Sequence, residues 1–160
     1  MINNRFLFLC IVIVILSGCA VSGPKYAEHS KSIAPLASDK GRIYFFRDDS
    51  FVGGAVRPDI LLNGKAVGES LPGGYFLIDK EPGNHTVSTS TEVDRTVEFV
   101  LASGETKYIK TSVSMGFFVG HVIPELVGET DALKAMKELT FAGYYDPSKP
   151  RPKPAAGEEY

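Results

Sequence analysis

The residues with the clearest chemistry lie near the start of the chain, where a thiol follows an apolar run. Arg5 precedes eleven consecutive apolar residues, 6–16, and Ser17, Gly18 and Cys19 follow them. A positive residue, a short apolar core and then small residues are typical of a secretory signal peptide. The run is too short to span a bilayer, which takes about 20 apolar residues. The nucleophilic thiol of Cys19 therefore stands where such a signal ends.

The segment Leu16 to Ala20, LSGCA, resembles a bacterial lipobox. This resemblance implies two modifications. The signal is cleaved between Gly18 and Cys19, and a diacylglycerol is attached to the Cys19 sulfur as a thioether. The diacylglycerol and an added N-acyl chain would hold the protein stably on a membrane, which one acyl chain does not. Since Ala20 stands where an Asp would resemble an inner-membrane retention signal, the resemblance also implies the outer membrane, with the protein facing the periplasm.

Composition and charge set limits on the rest of the chain. Hydrophobic residues make up 44% and charged residues 22% of the 160 residues, as in a globular domain. The formal net charge is −2 and the basic residues are dispersed, so nucleic acid is not expected as a partner. Cys10 would leave with the signal and Cys19 would carry lipid. The mature chain is therefore expected to have no disulfide and no cysteine-based metal site.

The histidine and serine patterns predict neither a metal site nor a catalytic group. His29, His85 and His121 do not form an H-x-H, H-E-x-x-H or H-x₃₋₅-H motif. The G-x-S-x-G segment of serine hydrolases is also missing from the sequence. We therefore expect no metal, no cofactor and no catalytic residue, and a protein that is not an enzyme.

Two other interpretations stay open at this point. Acidic residues in predicted loops could meet as the acid and base of a small envelope hydrolase or sugar-modifying enzyme; these are Asp48, Asp49, Glu92 and Asp94. The stretch Phe117 to Ile123, FFVGHVI, could instead line a cavity for a hydrophobic ligand between two sheets. Within the longer stretch 112–127, core packing is favoured over an exposed docking or membrane-apposed patch, because a small sandwich needs the apolar area.

The elements that would position these residues are mostly short strands. Residues 41–145 carry apolar and alternating runs separated by turn signals, which predicts a mainly β domain with one short C-terminal helix. Asn63-Gly64 predicts a hairpin. Strands over 96–101 and 106–114 are predicted to pair as a second hairpin. A helix is predicted after a Thr130 cap, with an apolar stripe formed by Leu133, Met136 and Leu139.

The two ends of the mature chain have a different composition. Residues 1–18 form the predicted signal, and residues 19–40 are predicted to be the lipidated N-terminus and a flexible tether, because they show no sustained apolar period. Residues 146–160 contain four prolines, which predicts an extended or disordered tail. The folded domain is thus expected over 41–145.

Several turn motifs together resemble known envelope domains. They are Asn63-Gly64-Lys65, Gly74-Tyr75-Phe76 and the segment 82–87, PGNHTV, after an opening RIYFFR strand at 42–47. The pattern resembles PEGA-type repeats and an uncharacterised domain family of bacterial envelope lipoproteins. That resemblance implies an antiparallel β-sandwich of prealbumin-like character and carries over no catalytic residues. We accordingly expect a non-catalytic, lipid-anchored domain that binds or scaffolds an envelope protein, peptidoglycan or a polysaccharide.

Overall fold

A computed structural model describes residues 21–50, 53–91, 93–114, 120–146 and 148. Gly18, Cys19, Glu92, Phe117 and most of the predicted tail lie outside the described residues. The described residues form strands β1 (Gly41–Phe46), β2 (Asp59–Leu62), β3 (Lys65–Glu69), β4 (Gly74–Lys80), β5 (Gly83–Ser90), β6 (Asp94–Leu101), β7 (Thr106–Ser114), β8 (His121–Val127) and β9 (Thr140–Phe141), with helices α1 (Tyr26–His29) and α2 (Glu129–Met136).

The strands form two sheets that pack face to face, so the predicted sandwich is confirmed. Sheet A has the strand order β8-β7-β1-β4-β9, and sheet B has the order β3-β2-β5-β6. Sheet B is antiparallel throughout, whereas sheet A is mixed, because β1 pairs in parallel with β7 and β4 in parallel with β9. The expected purely antiparallel arrangement thus holds for sheet B alone.

The predicted hairpin between β6 and β7 is wrong. Strand β6 pairs with β5 in sheet B, and β7 pairs with β1 and β8 in sheet A. The chain changes sheets at the intervening turn, where Gly104 has a φ of 74° and donates its N–H to Lys40 O at 2.8 Å. The residues of β7 explain the choice, because Tyr108 and Ile109 are both buried and face opposite sides. A strand with two buried faces belongs inside a covered sheet.

The Asn63-Gly64 turn forms the predicted hairpin between β2 and β3. Asn63 and Gly64 have φ values of 50° and 76°, the positive values that a type I′ turn needs. The Asn63 side chain also accepts the Thr86 N–H at 2.9 Å and lies 3.0 Å from His85 Nδ1. His85 is therefore a structural residue that joins the turn to β5, with its Nε2 2.9 Å from Glu81 O.

The hydrophobic core lies in two layers. Between the sheets, the rings of Phe45 and Phe76 stack with centroids 4.8 Å apart, in a cluster that β2, β5, β6 and β7 complete. On the outer side of sheet A, Tyr44 and Tyr108 stack at 5.4 Å beneath α2. Strand β1 is buried at every residue because it contributes to both layers.

Helix α2 is present, but its cap and its buried stripe differ from the prediction. It begins after Gly128, with no side-chain hydrogen bond at the cap, and not after Thr130. Ala132 and Met136 are fully buried, whereas Leu133 is 36% exposed. Ala132 and Met136 are four positions apart and therefore lie on the same side of α2, which faces the sheet. The small side chain of Ala132 allows close contact there, and Leu133 lies on the outward side. No helix in the described part of the chain is both long and apolar enough to cross a membrane.

Candidate functional site

The chain that follows the predicted lipid attachment residue is built into the sheet. Pro24 O accepts the Phe141 N–H at 2.8 Å, and the Tyr26 N–H is donated to Leu139 O at 2.9 Å. Lys25 forms an antiparallel bridge with Thr140 between these two bonds. Residues 24–26 therefore extend sheet A beyond its edge strand β9.

Close packing begins even earlier in this segment. A Cβ atom on Gly23 would lie 2.0 Å from Phe141 O, so only glycine allows the two backbones to approach this closely. At Gly74, a Cβ atom would lie 3.4 Å from a methyl group of Val21, which places Val21 against the start of β4. The contacts with the domain therefore start two residues after Cys19.

An aromatic cluster holds the same segment from the side. The Tyr26 ring packs edge-on against Tyr44 and Tyr75, with centroids 6.2 and 5.3 Å away. His29 Nδ1 lies 2.7 Å from Tyr75 Oη, and the His29 ring is 4.1 Å from that of Phe141. Burial, reinforced by the neighbouring tyrosines, raises the pKa of Tyr75 well above its usual value. These contacts keep Tyr75 protonated and able to bond to His29.

The remainder of the predicted tether is also connected to the body. The Arg42 guanidinium binds both carboxylate oxygens of Asp79, at 2.7 and 2.9 Å, and donates to Ala34 O at 3.0 Å. Ile33 packs against the outer core layer of sheet A. The prediction of a flexible tether therefore differs from the structure over residues 21–40. The lack of an apolar period does not exclude docking, because backbone pairing and single aromatic residues can hold a segment without such a period.

A solvent-open cleft lies beside the docked segment, at the end of the sandwich where β1 and β7 finish. It consists of two adjoining cavities of about 370 and 900 Å³ that share Val21, Arg57 and Pro72 in their walls. Both signs of charge line it, with Lys25 and Arg57 against Asp49, Glu69 and Glu138.

Buried Arg47 holds a loop that lines this cleft. It is 3% exposed, and its guanidinium donates to the carbonyl oxygens of Gly53, Val56 and Ser70 at 2.7, 2.6 and 3.1 Å. Burial, together with the nearby Arg57, lowers the pKa of Arg47. Three carbonyl dipoles thus stabilise the buried cation and fix the loop after β1 against the turn after β3.

The loop carboxylates of the hydrolase interpretation lie in different surroundings. The Asp48 carboxylate forms an ion pair with Lys110 Nζ at 2.5 Å, and Asp49 lines the cleft. Asp94 begins β6 in sheet B, and Glu92 is not among the described residues. The described residues contain no group of three or more His, Cys, Asp or Glu side chains that could hold a metal ion.

The apolar stretch of the carrier interpretation is described only in part. Phe117 and Phe118 lie outside the described residues, so the predicted cavity between the sheets cannot be assigned to them. Val122 is fully buried, and its carbonyl accepts the Thr89 hydroxyl at 2.6 Å, which joins the two sheets. His121 begins β8. Val122 is therefore part of the interior, whereas its two neighbours in β8 are half-buried.

Sequence reasoning missed the residues that build this end of the molecule. Arg47 has a visible signal, since it closes the apolar run RIYFFR and a cation there must be bound by polar groups. Gly23 and Tyr26 carry no comparable signal, because their partners lie more than a hundred residues away in β9 and its approach.

Fold and site together define a small β-sandwich protein in which residues 24–26 are an integral part of one sheet. Residues 37–122, more than half of the chain, match the family model described as "Protein of unknown function (DUF2846)", and the chain belongs to that family. It is also 32% identical over 135 residues to an uncharacterised protein of Haemophilus influenzae, covering 82% of this chain and 80% of the relative. No solved structure matches it.

Proposed function

We propose that this protein is a lipid-anchored bacterial cell-envelope protein whose sandwich domain binds or scaffolds another envelope component without catalysing a reaction. The observation that carries the proposal is the LSGC sequence at 16–19, placed directly after the apolar run 6–16. The Cys19 sulfur is the acceptor of the lipid, and the outer membrane, facing the periplasm, is the proposed location. An envelope protein, peptidoglycan or a polysaccharide is the proposed class of partner.

The outer face of sheet B is the surface best suited to such a partner. The outer face of sheet A is already covered by α1, by α2 and by Ile33 in the segment that follows α1. On sheet B, Thr96 and Glu98 of β6 are exposed and lie opposite Ser88 and Thr86 of β5. This face offers hydroxyl and carboxylate groups that can form hydrogen bonds with a polar partner.

The anchor is tested with Cys19→Ala and Cys19→Ser in the full chain. We expect the wild-type protein to incorporate labelled fatty acid and to fractionate with membranes, and both variants to lose these properties. Mass spectrometry of the exported protein identifies the modification directly. A free thiol at Cys19 of the exported wild-type protein would refute the anchor.

The partner is tested by photo-crosslinking in cells. A photoreactive amino acid is placed at Thr96, on the open face of sheet B, and at Lys134, on the exposed side of α2, as the matched control. We expect reproducible envelope adducts from Thr96 and few from Lys134. Equal adducts from both positions would contradict the assignment of the face, and none from either would contradict the scaffolding role.

A further inference from the structure

We infer that the end of the sandwich that carries residues 48–50, 53–57 and 71–74 and the close of β7 lies directly against the lipid bilayer. This inference rests on the proposed acylation of Cys19 and adds to it an interaction surface and an orientation. The membrane partner is the headgroup layer of the leaflet that holds the acyl chains.

The length of chain between the lipid and the folded body carries the inference. Val21 already lies against Gly74, and Gly23 against Phe141 O. Only Ala20 separates Cys19 from Val21. Two residues of extended chain reach at most about 7 Å, whereas a disordered tether of about 20 residues would span about 25 Å on average. The docked segment therefore leaves the domain almost no freedom to stand away from the anchor.

The strand directions identify the end of the sandwich that lies next to Cys19. Strands β1 and β7 run toward the end where Val21 docks, and β4 and β8 run away from it. Gly53 and Gly120 both lie against Val113 near the close of β7, which places the loop after β1 at that same end. The opposite end carries the Asn63-Gly64 turn and the Ala102–Glu105 turn.

The distance between the two ends makes the inference measurable. Strand β4 has seven residues. At about 3.3 Å per residue it separates its two ends by about 20 Å, more than the depth of a headgroup layer. A probe at the anchored end should therefore meet headgroups, and a probe at the far end should stay in water.

Matched cysteine variants of the acylated full chain provide the test. Ala55→Cys and Ser114→Cys place a label at the anchored end, and Ala102→Cys and Ser103→Cys place it at the far end, all at exposed residues. Each protein is labelled with one fluorophore and reconstituted in phosphatidylethanolamine–phosphatidylglycerol vesicles that contain a headgroup spin-labelled lipid. We expect quenching at 55 and 114 to exceed that at 102 and 103 by about three-fold or more, since the two ends are about 20 Å apart.

A lengthened anchor gives the control. A Gly/Ser insertion of about ten residues between Ala20 and Val21 spans about 17 Å and should remove the difference between the two ends. Mass spectrometry of the same samples reports acylation of Cys19. Equal or reversed quenching in a protein that is acylated would overturn the orientation and leave the anchor standing, whereas absence of the acyl group would refute the proposed function itself.

Discussion

The outer faces of the two sheets differ in how far other described segments of the chain cover them. On sheet A, Tyr44, Tyr75 and Tyr108 are covered by α1, α2 and the N-terminal segment, and all three are at most 6% exposed. On sheet B, the outward residues of β6 include Thr96, Glu98 and Val100, and Val100 is 62% exposed. Among the described residues, segments next to both ends of the domain thus stabilise the outer face of sheet A, whereas the outward residues of β6 are exposed to solvent.

This contrast predicts where substitutions affect stability and, under the proposed function, where they affect partner binding. Substitutions on the covered face should change the free energy of unfolding, because they remove contacts in a packed layer. Substitutions on the open face should leave folding nearly unchanged and should act on binding alone. The following predictions test this division, from the largest expected effect on stability to the smallest.

Tyr75→Ala should destabilise the protein most, by about 3–5 kcal/mol. The substitution empties a site that is 1% exposed and removes the contacts with Tyr26, His29 and Phe141. Urea unfolding of the Cys19→Ala protein, with and without the change, measures the loss. Tyr144→Ala is the control, because Tyr144 is 72% exposed and should lose little. Similar losses for the two tyrosines would mean that the outer layer of sheet A is not a packed core.

Gly23→Ala should cost about 1–3 kcal/mol, because the added Cβ overlaps Phe141 O and forces the N-terminal segment away from β9. Limited proteolysis should then cut the chain between residues 21 and 40 faster than in the unchanged protein. Gly128→Ala provides the control, since apart from its chain neighbours no described residue has an atom within 4 Å of a Cβ at Gly128. If Gly23→Ala left both stability and proteolysis unchanged, the docked segment would not be held as described.

Raising the pH above about 10 should destabilise the covered face. Burial raises the pKa values of Tyr44, Tyr75 and Tyr108 above the ordinary value of 10.0. The unfolded chain therefore loses these protons first, so the stability present below pH 10 declines as the pH rises toward the folded-state values. Tyr108→Phe should flatten this decline by about 1 kcal/mol per pH unit.

Urea midpoints measured across this pH range give the slope for each variant. Thr96→Ala, on the open face, should keep the full slope because threonine does not titrate in this range. A slope that Tyr108→Phe leaves intact would assign the alkaline instability to other groups.

Thr96→Ala and Glu98→Gln should have the smallest effects, within about 0.5 kcal/mol of the unchanged protein. Both side chains are exposed on the edge strand β6. The same urea experiment measures them, and adducts from a photo-crosslinker at a neighbouring position report on partner binding. A loss of stability comparable to that of Gly23→Ala would contradict the division between the two faces.

The sequence predicts the core strands better than it predicts residues 21–40. The Asn63-Gly64 turn and the alternation of Val97, Phe99 and Leu101 lead directly to the observed hairpin and to the buried side of β6. Alternation of apolar and polar residues predicts which side of a strand is buried. It does not predict which strand lies beside it, so the sheet that each strand joins cannot be derived in this way. That is why β6 and β7, consecutive in the chain, lie in different sheets.

The sequence predicts a chemical role next to the candidate site but not how the site is built. Cys19 stays a predicted lipid acceptor, inferred from four residues and their position after an apolar run. How residues 21–26 join the domain depends on Gly23, Tyr26 and Phe141, whose contacts link parts of the chain more than a hundred residues apart. Pairing over such a separation leaves no local pattern, so residues 21–40 have the composition of a linker although they are part of the fold.

The pairing of residues 24–26 with residues 139–141 also limits the order in which the protein can fold. Residues 24–26 are synthesised long before residues 139–141, and contacts so distant along the chain slow the search for the native state. Until then Tyr75 and the surrounding rings have only part of their cover. Residues 24–26 would thus stay without their partner strand until the closing of this sheet edge holds them in place.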